Sequence, residues 1–311
     1  MRAQLHAPRA PGLRARLAAP GLVVVPGCYD VIGARLIEHA GFPAAYMTGS
    51  GVSLSATGLP DIGLVSLHEV LERAGQIAGA VGLPIIADAD TGFGNPLNVL
   101  RTVQEFERRG VAAIQLEDQE MPKKCGHEPG RRLVAVEEMV AKIEAAVAAR
   151  GSPEFLVVAR TDARTTHGIE EAIARGRRFA EAGADVIFVE SPESADEMRA
   201  VCRAIPAPCL ANLVEGGRTP LLPQDELAAI GYRVVIYPNA LTRVFARAGM
   251  DLLDELRRTG TTAGMLPRML THGELWDLFG RQEWSALERR FVRDVGTADA
   301  PAGAAPRKAA A

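Results

Sequence analysis

A short apolar run at 111–116 ends in two acids, Glu117 and Asp118. It opens into a segment holding Pro122, Lys123, Lys124, Cys125, Gly126, His127, Pro129 and Gly130. Cys125 sits between two cations and a histidine, and nearby positive charge lowers a thiol's pKa from about 8.5, giving a reactive thiolate or an acid–base group. Taken alone, the same window equally describes a lysine-rich solvated loop with an incidental cysteine. Asp88 and Asp90, two apart on a predicted strand, share one face. With Glu117 on the neighbouring strand they make a hard-oxygen cluster without histidine. That donor set suits Mg²⁺ or Mn²⁺, completed by water and substrate oxygens, rather than zinc. The competing reading is a carboxylate pair bonded to the barrel backbone or to Arg160.

Arg160 can hold a carboxylate bidentately. The Thr48-Gly49-Ser50 turn offers backbone N–H groups to an oxyanion, and Asn212 adds a donor. Metal, arginine and amide donors together describe a site for an α-keto or α-hydroxy acid that passes through an enolate. Cys125 and its basic loop would close over such a site as a lid and exclude water from a carbanion.

These residues need a scaffold that gathers them. Apolar, β-rich runs fall at 22–25, 44–47, 84–87, 112–116, 155–159, 186–189, 209–211 and 234–237. Each is short and nearly continuous in hydrophobicity, as expected of parallel strands buried on both faces. Helical stretches lie between most of them. The clearest is 95–110, where Pro96 suits the first turn, Leu97, Leu100, Val103 and Phe106 suggest an apolar stripe, and Gly110 can end it. Eight strands alternating with helices predict an α/β fold, a (β/α)8 TIM barrel, with a doubly wound sheet as runner-up. The runner-up lacks a glycine-rich dinucleotide fingerprint after its first strand. In a barrel the carboxyl ends of the strands hold the site, and here they read Tyr46-Met47-Thr48, Asp88-Ala89-Asp90, Glu117-Asp118, Arg160-Thr161-Asp162, Glu190-Ser191, Asn212 and Tyr237-Pro238-Asn239.

The 311 residues, 48% hydrophobic, can bury a sizeable core, and 35 basic against 38 acidic residues give a net charge of −3. That balance offers no electrostatic footprint for nucleic acid or an anionic membrane. No apolar run reaches the ~20 residues of a membrane span. Four scattered cysteines with no CxxC pair read as reduced thiols of a cytoplasmic protein. The arginines near the start faintly suggest a transit peptide, but that stretch has no serine. The expected organisation is a tail with a short helix at 1–19, one barrel domain with extra C-terminal helices at 20–295, and a disordered Ala/Pro-rich tail at 296–311. A barrel needs one helix after its eighth strand, so the helices at 241–258 and 274–293 are candidates for packing on a partner subunit.

The chain resembles the isocitrate lyase/phosphoenolpyruvate mutase superfamily over roughly residues 20–295. The resemblance lies in PGCYD, TGSG, GLPD at 58–61, DADTGFG at 88–94, LEDQ at 116–119, KKCGH at 123–127, ARTDA at 159–163, ANLVEGG at 211–217 and YP at 237–238. KKCGH after LEDQ is similar to the lyase branch, whose cysteine is the acid–base group. By this resemblance Asp88 and Asp90 bind Mg²⁺, directly or through water, with Glu117 in the outer shell. Thr48, Gly49, Ser50 and Arg160 hold the keto-acid portion. Cys125, Gly126, Glu190, Asn212 and Gly216 face substrate, and Asp61, Lys123 and His127 support the site. The family implies a barrel whose eighth helix is swapped between subunits of a tetramer.

The implied reaction is retro-aldol cleavage of a 2-hydroxy di- or tricarboxylate to pyruvate and a small carboxylic acid. Tyr46 or a metal-bound group is the candidate base, and Cys125 protonates the carbanion. Methylisocitrate lyases resemble this chain through Arg243 and the GTT segment at 260–262. Where they carry an arginine for a third carboxylate the matching position here is His272, and where their second-strand turn reads SGGG this one reads TGSG. Both departures favour the 2,3-dimethylmalate lyase pattern. The rivals are an oxaloacetate decarboxylase or C–C hydrolase, a phosphonopyruvate or carboxyphosphonoenolpyruvate enzyme of the same superfamily, and a non-catalytic dicarboxylate-binding barrel.

Overall fold

The computed structural model describes residues 12–126, 128 and 130–292. Eight strands, β1 (Val23–Cys28), β2 (Ala45–Met47), β3 (Ile85–Asp88), β4 (Ala113–Glu117), β5 (Leu156–Thr161), β6 (Val186–Val189), β7 (Cys209–Asn212) and β8 (Val234–Tyr237), pair in chain order into a closed barrel. Every pairing is parallel, and β8 closes on β1 from Val23↔Val234 onward. The predicted (β/α)8 fold is thus the observed one. Several strands run further into their polar ends than hydrophobicity alone predicts. β3, β4, β5 and β7 include Asp88, Glu117, Arg160-Thr161 and Asn212, because ladder hydrogen bonds continue past the apolar residues.

Side-chain alternation splits the core in two. Val23, Val25, Tyr46, Ile86, Ala113, Leu156, Val158, Val186, Phe188, Leu210, Val234 and Ile236 fill the barrel interior. The opposite set, including Met47, Ile85, Ile114, Val157 and Ile187, packs under the surrounding helices. Continuing the inward set by two residues reaches Asp88, Gln115, Glu117, Arg160, Glu190 and Asn212. One parity therefore builds the floor and the site.

At the other end, helix Leu13–Ala18 places Leu13 in the interior cluster. Arg14 ties it to Asp185 at 2.7 Å. The predicted short N-terminal helix is present, and the remainder of the tails lies outside the described residues.

Helix Pro96–Arg108 starts at an Asn95 capping box. Its buried stripe is Val99, Thr102, Val103 and Phe106, an i, i+3, i+4, i+7 pattern. Leu97, expected in that stripe, is 73% exposed. The Thr48-Gly49-Ser50 turn opens a helix, Gly49–Thr57, whose N-cap Thr48 accepts from Gly51 N–H.

The described residues form two compact units that divide after Pro267. In the second, the single helix expected over 274–293 is two, His272–Leu278 and Arg281–Phe291, because Gly280 takes φ 74° between them. His272 stacks on Trp276 in that unit.

Candidate active site

The inward-facing strand ends surround a cleft of about 440 Å³, measured out to its open mouth. Tyr46, Thr48, Ser50, Asp61, Asp88, Glu117, Lys123, Cys125, Gly126, Arg160, Glu190 and Asn212 all line it. Asp88 is fixed from three sides. Gln115 Nε2 and the Asp90 N–H donate to Oδ1 at 3.2 and 3.1 Å, and the Gly49 N–H donates to Oδ2 at 3.3 Å. A Cβ on Gly49 would lie 2.6 Å from Asp88 Oδ2, so glycine lets the helix start approach the carboxylate. Asp90 holds φ +47°, sparsely populated for a non-glycine residue. Its carbonyl accepts the Glu117 N–H at 2.9 Å, tying the end of β3 to β4.

The carboxylates of this wall are poorly compensated. Glu117 Oε1 is buried with no hydrogen-bond partner, while Glu117 Oε2 lies 3.5 Å from Arg160 Nε. Burial pushes Glu117 well above the usual carboxylate range, despite the opposing charge of Arg160. Burial also raises Asp88, and it pushes Asp90 up to about 6 against the pull of Lys123. Lys123 itself is buried, with Nζ 2.5 Å from Asp61 Oδ1 and 2.8 Å from Asp90 Oδ1. Its charge is therefore spent on the carboxylate wall. Among the described residues no three His, Cys, Asp or Glu side chains converge into a closed cage. An orphaned carboxylate oxygen beside two raised aspartates nonetheless fits a hard dication that keeps several waters, as Mg²⁺ does. Both sequence readings survive in part, since Asp88 is also bonded to backbone and Glu117 lies near Arg160.

Tyr46 is buried and donates to Gln115 Oε1 at 2.6 Å. Burial, then the Asp88 charge, holds its phenol well above its usual value. Thr48 and Ser50 donate to Asn239 Oδ1 at 3.2 and 2.9 Å at the start of their helix.

Across the cleft, Arg160 stacks over Phe188 with its guanidinium carbon 5.0 Å from the ring centroid. It grips Asp162 through Nε at 3.0 Å and Nη2 at 2.8 Å. Glu190 Oε2 lies 3.7 Å from Arg160 Nη2 and accepts from Asn212 Nδ2 at 3.0 Å. Gly126 lies against Arg160, leaving no room for a Cβ. Cys125 is half-buried.

Two expected contacts do not enter the cleft. Arg243 donates to the Glu215 carbonyl at 2.5 Å and lies 3.2 Å from its carboxylate, and Gly216 is exposed on the same loop. His127 lies outside the described residues. Gln115, Phe188 and Asn239 are additions. Gln115 and Phe188 stand two before Glu117 and Glu190, so strand alternation would have found them.

The profile described as phosphoenolpyruvate phosphomutase matches residues 13–257. The chain is 52% identical over 280 residues to the 2,3-dimethylmalate lyase of Eubacterium barkeri, covering 90% of this chain and 97% of that protein. It is 44% identical over 281 residues to the 2-methylisocitrate lyase of Aeropyrum pernix, covering 90% of each. Among solved structures, oxaloacetate acetylhydrolase bound to 3,3-difluorooxalacetate superposes with a TM-score of 0.86 at 37% identity, covering 90% of this chain and 96% of that one. Phosphonopyruvate hydrolase complexed with oxalate and Mg²⁺ gives 0.82 at 34%, covering 90% and 98%.

Proposed function

The chain belongs to the phosphoenolpyruvate mutase/isocitrate lyase superfamily and is a carbon–carbon lyase, and we propose that it cleaves a 2-hydroxy dicarboxylate of the 2,3-dimethylmalate type to pyruvate and propionate. The observation that carries this reading is that Cys125 and Gly126 line the same cleft as Asp88, Glu117 and Arg160. One cleft thus brings together a cysteine, a carboxylate wall suited to a dication and a carboxylate-gripping arginine.

Arg160, locked by Asp162 and Phe188, orients a substrate carboxylate bidentately. Thr48, Gly49 and Ser50 contribute hydroxyl and N–H groups beside it, and Glu190 with Asn212 completes the polar wall. Mg²⁺, with Mn²⁺ as the alternative, would be held by Asp88, Asp90 and Glu117, and it would supply Lewis-acid stabilisation of developing enolate charge. Tyr46, as the tyrosinate, is the proposed base for the 2-hydroxyl; burial first and the Asp88 charge second disfavour that form, and a dication held at Asp88 would offset the second. As the C2–C3 bond breaks, its electron pair stays on C3, and Cys125 delivers the proton that makes propionate. His127 and Lys123 support the thiol and the carboxylate wall respectively.

The 2-methylisocitrate alternative needs a cation for a third carboxylate at the position where this chain carries His272, and Arg243, the feature shared with those lyases, is engaged by Glu215. We further propose a cytoplasmic homo-tetramer. Among the described residues no helix is long and apolar enough to cross a membrane. No residue of helix Ala240–Thr259 is buried in the single chain, and Val244, Met250 and Leu253 lie exposed on it.

The test is a substrate panel with Mg²⁺, comprising 2,3-dimethylmalate, 2-methylisocitrate, isocitrate and oxaloacetate, with pyruvate and glyoxylate read by coupled reduction. Pyruvate from 2,3-dimethylmalate in preference to the tricarboxylates is expected. Turnover of oxaloacetate alone would overturn the lyase assignment.

A further inference from the structure

Asp162 follows β5 outside the cleft lining, and its residue is 0% exposed. Its carboxylate takes Arg160 Nε on Oδ2 at 3.0 Å, and Arg160 Nη2 and Arg131 Nη1 on Oδ1 at 2.8 and 2.7 Å. The side-chain amide donor of Gln119 also acts on this carboxylate, drawing its pKa down. Its backbone is pinned as well, since the Asp162 N–H donates to Asp118 Oδ1 at 2.9 Å, and Thr161 and Arg175 hold Asp118.

Two of these donors come from the stems of the segment that carries Cys125. Gln119 lies before it and brackets Lys124, donating to the Lys124 carbonyl at 2.9 Å and accepting the Lys124 N–H at 3.0 Å. Arg131 lies after it, 8% exposed, with Nη2 on Thr165 Oγ1. Between the stems, Gly126 rests on Arg160. A carboxylate offers about four lone-pair sites, and Asp162 commits three of them to guanidinium donors from Arg160 and Arg131. The substrate-gripping arginine and both stems of the thiol segment therefore share one anchor.

We propose that Asp162 is a positioning residue that fixes Arg160 and, through Gln119 and Arg131, the placement of Cys125 relative to it. The proposal deepens the lyase reading and rests on it only in taking Arg160 as the substrate's anion site. Cys125 should then sense changes at Arg131, although Arg131 is not among the residues lining the cleft.

The experiment measures Cys125 alkylation by iodoacetamide, followed on its peptide by mass spectrometry, and Mg²⁺-dependent oxalate affinity. The proteins are wild type, Arg131→Gln, Arg131→Lys and Asp162→Asn, each checked by thermal unfolding. In Arg131→Gln the alkylation rate should change about fivefold while oxalate affinity moves by less than about threefold. Arg131→Lys should recover at least half of that change, and Asp162→Asn should move both readouts. If Asp162→Asn does not fold, the two Arg131 variants decide alone. Alkylation in Arg131→Gln within about twofold of wild type would overturn the proposal. Wild-type protein without oxalate affinity would instead overturn the substrate reading, leaving the alkylation ratio to judge the coupling.

Discussion

The β3–β4 wall of the barrel mouth and the carboxylate just beyond it at Asp162 are built from the same residue types at similar depth, yet they are treated oppositely. Asp162 is surrounded by guanidinium and amide donors, and although burial works against its charge, Arg160 and Arg131 hold it below the usual range. Asp88 is held only by amide N–H groups, Glu117 keeps one oxygen without a partner, and burial pushes Asp88, Asp90 and Glu117 up. A buried carboxylate left short of partners costs stability. One region spends its charge on the fold, whereas the other keeps charge in reserve for something that arrives with substrate.

Substitution separates the two regions most sharply. Asp162→Asn should destabilise the protein by about 3–5 kcal/mol, because it leaves buried guanidiniums unpaired. Asp88→Asn should leave the metal-free melting temperature unchanged or raised, and should lower Mg²⁺-dependent turnover about 10³-fold. Denaturant titration and steady-state kinetics on both variants check this. Equal loss of stability in the two would break the comparison.

Acid titration gives the next largest effect. Asp90 has a folded pKa of about 6 against about 3.9 unfolded. The folded state then binds its proton more tightly, so metal-free stability should fall by about 2–3 kcal/mol as pH rises from 4 to 7. Asp162 has the opposite sign, with its contribution present above the unfolded pKa and lost as pH falls through its depressed folded value. Chemical denaturation across pH, with and without Mg²⁺, should show the first slope flattened by the metal and the second untouched.

Arg243 supplies the smallest effect. It belongs to neither region, so Arg243→Ala should change kcat/KM for 2,3-dimethylmalate by less than about threefold. A tenfold rise in KM would place a substrate carboxylate on it after all.

Much of this was legible in the sequence because barrel strands are short, apolar and periodic, and because a polar residue at a strand's carboxyl end already stands in the site. The carboxylates and Arg160 are legible that way, and Cys125 through the cations and histidine around it in its loop. Asp162 was visible only as one more strand-end acid, since its partners Gln119 and Arg131 come from a segment with no periodicity to place it. The helix at 49–57 hid behind glycines and serines that lower helix propensity, and only the Thr48 cap reveals it. Gly280 divided the last helical stretch by adopting a positive φ that local composition does not announce.

The central claim is that Cys125 protonates the carbanion released when the C2–C3 bond breaks. Cleavage of 2,3-dimethylmalate in D₂O, followed by NMR of the propionate formed, tests it most directly when wild type and Cys125→Ser are compared under single turnover. The account predicts propionate carrying one deuterium at C2 with a single configuration in the wild type, and product formation slowed about 10²–10⁴-fold in Cys125→Ser with Mg²⁺-dependent oxalate affinity retained. Propionate formed at the wild-type rate by Cys125→Ser, or with deuterium scrambled between both configurations in the wild type, would contradict it.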